Sequence, residues 1–180
     1  QAMVAATFGY VVMAFLMTAT PISMHYVHKL SVDKVGLVIQ FHVLGMFLPS
    51  LFTGNLIKRF GFSNIMYMGV FFYALTISLS LFEPTFINYF ASLICLGIGW
   101  NFLYISGTSL LVTTYNEQEK FKAQGFNDLI VFSATAIGSL SAGILISLLS
   151  WKIVNFMCIP FLIIILFVIL RADIKKAPAN

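Results

Sequence analysis

Apolar and polar residues follow one another along this chain in long blocks. Charged residues fall only within 29–34, 58–59, 83, 117–128, 152 and 171–176. Between them lie the charge-free runs 1–28, 35–57, 60–82, 84–116, 129–151 and 153–170. A helix crosses the hydrocarbon core with about 20 apolar residues, in a range of about 17–25, and every run is long enough. Lipid offers no partner to an open backbone group, so each run is expected to be helical. Membrane strands are shorter and alternate in polarity, a pattern not found here. The reading is an all-α integral membrane fold with helices over about 3–24, 36–57, 62–82, 86–112, 125–149 and 152–170, and a polar tail over 171–180.

Composition agrees. Of 180 residues, 60% are hydrophobic and 9% are charged, against roughly 45–50% and about 25% in soluble domains. Such a chain cannot cover a water-exposed surface with polar groups, and it is far too apolar to be disordered. The mean hydropathy is +0.98. The net charge of +4 comes from dispersed Lys and Arg, which excludes a nucleic-acid footprint. Cys95 and Cys158 lie in apolar runs, where cysteine acts as a small hydrophobe, and two are too few for a disulfide framework. No secretory leader pattern precedes the first run. The chain opens at Gln1, and the expectation is that an upstream part is missing.

Loop charge sets the orientation. Lys58, Arg59, Lys120, Lys122, Arg171, Lys175 and Lys176 share one side, and Lys29, Lys34 and Lys152 share the other. The side richer in Lys and Arg is expected to be cytoplasmic, with both termini inside.

The predicted helices differ in polarity. The sixth carries one polar side chain, Asn155, and the third carries Thr76, Ser78 and Ser80 in its outer half. On the first, Thr7, Tyr10, Ala14, Thr18, Pro21 and His25 fall on one face at helical spacing. On the fourth, Gly97, Asn101, Tyr104 and Thr108 do the same. On the second, His42, Gly45, Pro49 and Thr53 share a face, and Pro49 is expected to kink or loosen the helix. The fifth has two small-residue ladders, Ala134–Gly138–Ala142 and Thr135–Ser139–Gly143. Such ladders let backbones approach closely in lipid, either as a fixed seam or as one that shifts between two packings.

Catalytic and metal chemistry find little to stand on. There is no H-E-x-x-H, no G-x-S-x-G and no carboxylate pair. His25 and His28 have a ligand-like spacing but lack a companion Cys or carboxylate, so neither a metal nor a cofactor is expected. An intramembrane enzyme is disfavoured. A non-transporting membrane subunit is the nearer alternative, although it would need no polar face on the first and fourth helices.

The segment Gly54-Asn-Leu-Ile-Lys-Arg-Phe-Gly61 joins the second and third helices on the cytoplasmic side. It resembles the signature loop G-x-L-x-D-R-x-G-R-R of the major facilitator superfamily. Gly54, Leu56, Arg59 and Gly61 match; Lys58 stands at the acidic position, and Phe62 and Ser63 replace the trailing basic pair. Gly97–Gly107 resembles the tenth helix of these carriers, and Glu117–Asp128 the loop leading to the eleventh. The resemblance implies the C-terminal half of a twelve-helix secondary transporter, built as two inverted three-helix repeats. It implies a small-molecule substrate, a bilayer environment, an N-terminal six-helix half as partner, and a bacterial inner membrane. Family frequency points to a proton-coupled efflux or metabolite carrier working as an antiporter.

In that family the first and fourth helices of a half line the cavity, the second and fifth flank it, and the third and sixth face lipid. Tyr10, Thr18, Trp100, Asn101 and Tyr104 are therefore candidate substrate contacts. For Asn101, an interhelical hydrogen bond is the equally plain alternative. His42 is a candidate coupling residue because an ionisable group inside a membrane helix is functional by default; the plainer reading is a neutral, hydrogen-bonded histidine. Asp128, placed in the first turn of the fifth helix, is a candidate gate residue, with a helix N-terminus interaction as the plainer reading. Gly54, Leu56, Arg59 and Gly61 join it through the loop match. In the half alone, the first- and fourth-helix faces are expected to stand falsely exposed.

Overall fold

The computed structural model describes residues 1–176. Residues 177–180 of the tail, including Asn180, lie outside the described residues. Eight α-helices make six spans: α1 (Ala2–Pro21), α2 (Val32–Phe47), α3 (Ser50–Phe60), α4 (Phe62–Leu79), α5 (Phe86–Val112), α6 (Lys120–Leu148), α7 (Trp151–Phe156) and α8 (Ile159–Lys176). No strand occurs among the described residues, and six helical stretches are long and apolar enough to cross a membrane. The molecule is an all-helical integral membrane protein.

Prolines interrupt three of the spans. Pro21 ends α1, and the chain continues as a π-helical turn over Ile22–Val27. A proline has no N–H for the ladder, and the wider turn takes up the slack. Pro49 parts α2 from α3, so the helical ladder of the second span is loosened at the proline, as the sequence predicts. The sixth span was expected as one helix. It breaks at Met157–Cys158, because Pro160, in the first turn of α8, cannot donate back to the preceding turn. Gly61 joins α3 to α4 at φ 83°, where a Cβ would be strained. Ser150 caps α7 by accepting from the Ile153 N–H at 3.4 Å.

Helix α5 forms the centre and packs against α1, α2 and α4. Helix α6 lies on the far side of α1, and α8 leans on α4 and α1. The main core runs from Val12 and Leu16 through Leu93, Leu96 and Leu103 to Ile165 and Ile169. The first and fourth spans are the most enclosed, with 61% and 56% of their apolar windows buried. The second and fifth are the least, at 17% and 22%. The expected exposure of the α1 and α5 faces is met only in part: both helices are largely enclosed, and Tyr10, Thr18, Pro21 and Tyr104 are half-buried; the open apolar faces carry Phe41, Leu44, Phe47 and Leu51 on α2 and α3, and Leu129, Ile137, Leu140 and Ile144 on α6.

Candidate functional site

A vestibule of about 620 Å³ opens between α1, α2 and α6. Tyr10, Ala14, Thr18 and Pro21 line it from α1, Val43 and Phe47 from α2, and Ser139 from α6. The face drawn on the first helix by periodicity thus supplies one wall of an actual cavity.

Behind Tyr10 stands an aromatic slab. Trp100 and Tyr104, one turn apart on α5, lie with ring centres 5.1 Å apart and planes 12° from parallel. Tyr10 meets both edge-on, at 5.4 Å and 84° to Trp100 and at 5.2 Å and 79° to Tyr104. Phe132 of α6 meets Tyr10, and Phe47 meets Trp100, in the same T-shaped way. These geometries suit the quadrupoles of the rings. Trp100 is 5% exposed, and its indole N–H is buried without a hydrogen-bond partner. A buried donor is normally paired, and this one is not; Trp100 and Tyr104 stand behind the vestibule wall rather than among its lining residues.

Asn101 is placed elsewhere. Its side chain is fully buried at the break between α2 and α3. Nδ2 donates to the Met46 carbonyl at 2.7 Å and to Ser50 Oγ at 2.6 Å, and Oδ1 accepts from Thr53 Oγ at 2.6 Å. Pro49 disrupts the backbone ladder there, and the amide satisfies an opened carbonyl. Asn101 thus shares no wall with Tyr10 and Thr18.

His42 is fully buried between α2 and α5. Nδ1 pairs with the Leu93 carbonyl at 2.7 Å, and Nε2 has no partner. It is not among the vestibule residues. The helices around it touch backbone to backbone: a Cβ on Gly97 would stand 2.5 Å from the His42 carbonyl oxygen, and one on Gly45 would stand 3.0 Å from that of Ile94.

The loop candidates lie on an open surface. Gly54, Arg59 and Gly61 are exposed, Leu56 is half-buried, and nothing stands within 4 Å of a Cβ built on Gly54. The Arg59 guanidinium lies 5.2 Å from the Phe60 ring centre. Asp128 is also exposed, but not in a first helical turn. Helix α6 begins at Lys120, so Asp128 sits in its third turn, and the helix-terminus explanation falls away. The charge-free criterion set that boundary too late, because the polar stretch before the membrane is itself helical. Asp128 lines a second cavity, of about 210 Å³, with Thr108 and Asn127. It accepts from the Asn127 amide at 3.2 Å, and it is not joined to Arg59.

Sequence reasoning missed the unpartnered Trp100 N–H, the Ser50–Thr53–Asn101 knot and the buried Asn127. Pro49 beside Ser50 and Thr53 was the signal for the knot. It also missed a network at the π-helical turn, where Tyr89 Oη lies 2.6 Å from Ser23 Oγ and 3.0 Å from His28 Nδ1. Pro21 was the signal there.

A family model described as Major Facilitator Superfamily matches residues 2–180. The chain is 40% identical over 173 residues to the riboflavin transporter RfnT of Brucella anthropi, which covers 96% of this chain and 43% of that protein. Two uncharacterized MFS-type transporters of Bacillus subtilis are also similar. YdeG is 35% identical over 139 residues, covering 76% of this chain and 32% of its own. YddS is 31% identical over 147 residues, covering 80% and 33%. The chain thus spans less than half the length of the curated relatives it matches.

Proposed function

Because the chain belongs to the major facilitator superfamily, we propose that it forms one six-helix half of a secondary transporter that moves a small solute by alternating access. The solute we assign is a flat heteroaromatic compound of the riboflavin type. The observation that carries this assignment is the Tyr10–Trp100–Tyr104 slab beside the vestibule, with its buried, unpartnered indole N–H. Aromatic faces stack on a planar ring system, and an unpaired donor in a dry site favours a ring bearing a carbonyl or ring nitrogen. The relative named a riboflavin transporter supports the same chemistry.

In this reading Tyr10, Thr18, Trp100 and Tyr104 contact the solute, and Asn101 ties the break in the second span to α5. The open faces of α2, α3 and α6 receive the N-terminal six-helix half. Arg59 and Asp128 reach across to that half, with Gly54 and Gly61 keeping the loop surface low enough for close approach. His42 is the candidate for proton coupling, since its Nε2 is buried and free. Both termini face the cytoplasm of a bacterial inner membrane.

The direct test is uptake of radiolabelled riboflavin into proteoliposomes holding the full-length protein. Saturable uptake is expected, with transport lowered by about tenfold in Trp100→Ala, the scale of an aromatic contact plus a hydrogen bond. Uptake unchanged in Trp100→Ala and Tyr10→Ala would remove the slab from solute binding. For orientation, a cysteine at Ser63, with Cys95 and Cys158 replaced by alanine, should resist an impermeant thiol reagent added outside intact cells. Labelling from outside would invert the topology.

A further inference from the structure

The vestibule occupies one side of the α1–α6 pair. A third cavity, of about 300 Å³, occupies the other side and reaches the break between α7 and α8. At about 100° per residue, Phe8, Val12 and Phe15, which line it, fall on the opposite side of α1 from Tyr10, Ala14 and Pro21. The sixth span opens at Met157–Cys158, and α8 then leans on α4 and α1 rather than on α6. Ile137 on α6 and Met157 at the break are exposed lining residues, so the cavity opens between those two elements. It is a slot along the helix axes: its lining follows α6 from Ala134 to Leu145, about 16 Å at 1.5 Å per residue. Phe8 and Phe161 close one end, with ring centres 5.4 Å apart.

The slot has no polar group to offer. Its two side chains able to donate, Ser141 and Cys158, spend their hydrogens on carbonyls of their own spans, Gly138 at 2.8 Å and Val154 at 3.8 Å. Water finds no partner there, and a polar solute finds no donor. Left empty, the slot forfeits dispersion contacts along its whole lining. A membrane half-bundle has two surroundings, the other half and lipid. On the transport reading, on which this step rests, the other half covers the vestibule. The slot faces away from it, beside the most apolar span, whose mean hydropathy is 3.0.

We propose that this slot binds one acyl chain of a membrane lipid. A methylene takes up about the space of a water, roughly 30 Å³, so the volume suits about ten chain carbons. The chain is fluid, and it fills the slot without pinning α1 to α6.

The test places the full-length protein in nanodiscs of phosphatidylethanolamine doped with the same lipid carrying a diazirine at the middle of one acyl chain. After irradiation, mass spectrometry of the digested protein locates the adducts. Ile163 and Phe167, exposed on α8, report ordinary bilayer contact. Adducts on Val12, Phe15 and Cys158 are expected to exceed those on Ile163 and Phe167 by about tenfold, because a void of this size is costly to leave open. In Ser141→Leu the larger side chain enters the slot, at the loss of a hydroxyl bonded only within α6, and the adducts should fall to the level of the control surface. Where that variant fails to fold, the wild-type ratio decides alone. Slot residues unlabelled beside labelled Ile163 and Phe167 would mean that protein fills the space, from the other half or by closure, and would overturn the proposal. Equal labelling of slot and control surface would overturn it too, as would an unchanged ratio in folded Ser141→Leu. None of these outcomes touches riboflavin uptake, so failure here is distinguishable from failure of the transport reading.

Discussion

Two seams of this half-bundle look alike in outline and differ in construction. At one, α2 packs on α5; at the other, α6 packs on α1. The first brings backbone against backbone through Gly45 and Gly97. It is stitched by His42 to the Leu93 carbonyl and by Asn101 to the Met46 carbonyl. The second relies on the small-residue ladder of α6, where a Cβ on Gly138 would meet the Val11 side-chain tip at 3.3 Å and the Val11 carbonyl oxygen at an ordinary 3.7 Å. Beside it lies an apolar cavity of about 300 Å³ between α1, α6 and the α7–α8 break. Without water to drive helices together, packing and hydrogen bonds hold a membrane bundle. The α2–α5 seam has both. The α1–α6 seam has no cross-helix side-chain hydrogen bond among the described residues and lies beside a cavity, so in the proposed transport cycle it is the seam expected to shift.

The largest effect expected from this contrast is at Gly97. An added methyl would sit 2.5 Å from the His42 oxygen and 2.9 Å from the Met46 nitrogen, both backbone atoms that cannot swing away. Gly97→Ala should cost about 1–3 kcal/mol through forced separation of the helices. Thermal unfolding in detergent would read it as a clear drop. A wild-type unfolding temperature would mean that the seam is looser than its geometry.

Next comes the stitching. Asn101→Ala leaves the Met46 carbonyl without its side-chain partner, while the Thr53 hydroxyl keeps the Pro49 carbonyl at 2.8 Å, and the cost is about 1–3 kcal/mol for a buried unsatisfied group. The expected signature is lost stability together with lost transport. Transport abolished at unchanged stability would return Asn101 to the solute site, where the sequence had left that possibility open.

How far the sequence could see is clearest on α5. Six blocks free of charge were enough to find the spans, and Pro49 was enough to find the break between α2 and α3. Helical spacing placed Asn101 and Tyr104 on one face. At about 100° per residue they stand about 60° apart. For a helix against a single neighbour that separation is small. Helix α5 is wrapped by α1, α2 and α4, and 60° is enough to send Tyr104 toward Tyr10 and Asn101 toward Thr53. Periodicity reports a face; only the packing says which neighbour occupies it. The early start of α6 was hidden for a different reason. A hydropathy criterion marks the membrane, and the helix runs past the membrane edge to Lys120.

A smaller effect on stability is expected at the exposed charges. Arg59 and Asp128 lie outside both seams, and exposed ion pairs contribute only about 0–1 kcal/mol. Arg59→Ala and Asp128→Asn should leave thermal unfolding near wild type and slow transport by the full-length protein. Unchanged transport in both would leave them as interfacial anchors.

The smallest stability change belongs to the loose seam, and it is also the sharpest discriminator. Gly138→Ala places a methyl 3.3 Å from one γ-methyl of Val11, a side-chain tip next to the apolar cavity. That tip can turn into the free space, so the clash relaxes. Alanine also restricts the unfolded chain more than glycine does and favours the helix by up to about 1 kcal/mol. The two terms nearly cancel, and the unfolding temperature should move little, with a slight rise more in keeping than a fall. Transport is where the substitution should register. If α6 slides or rolls on α1 during the cycle, a methyl on the ladder obstructs one of the two packings, and turnover falls while solute affinity holds. Comparing maximal rate with half-saturation in proteoliposomes separates those quantities. A large fall in stability for Gly138→Ala, matching Gly97→Ala, would mean that the two seams are equally rigid and that the motion lies elsewhere.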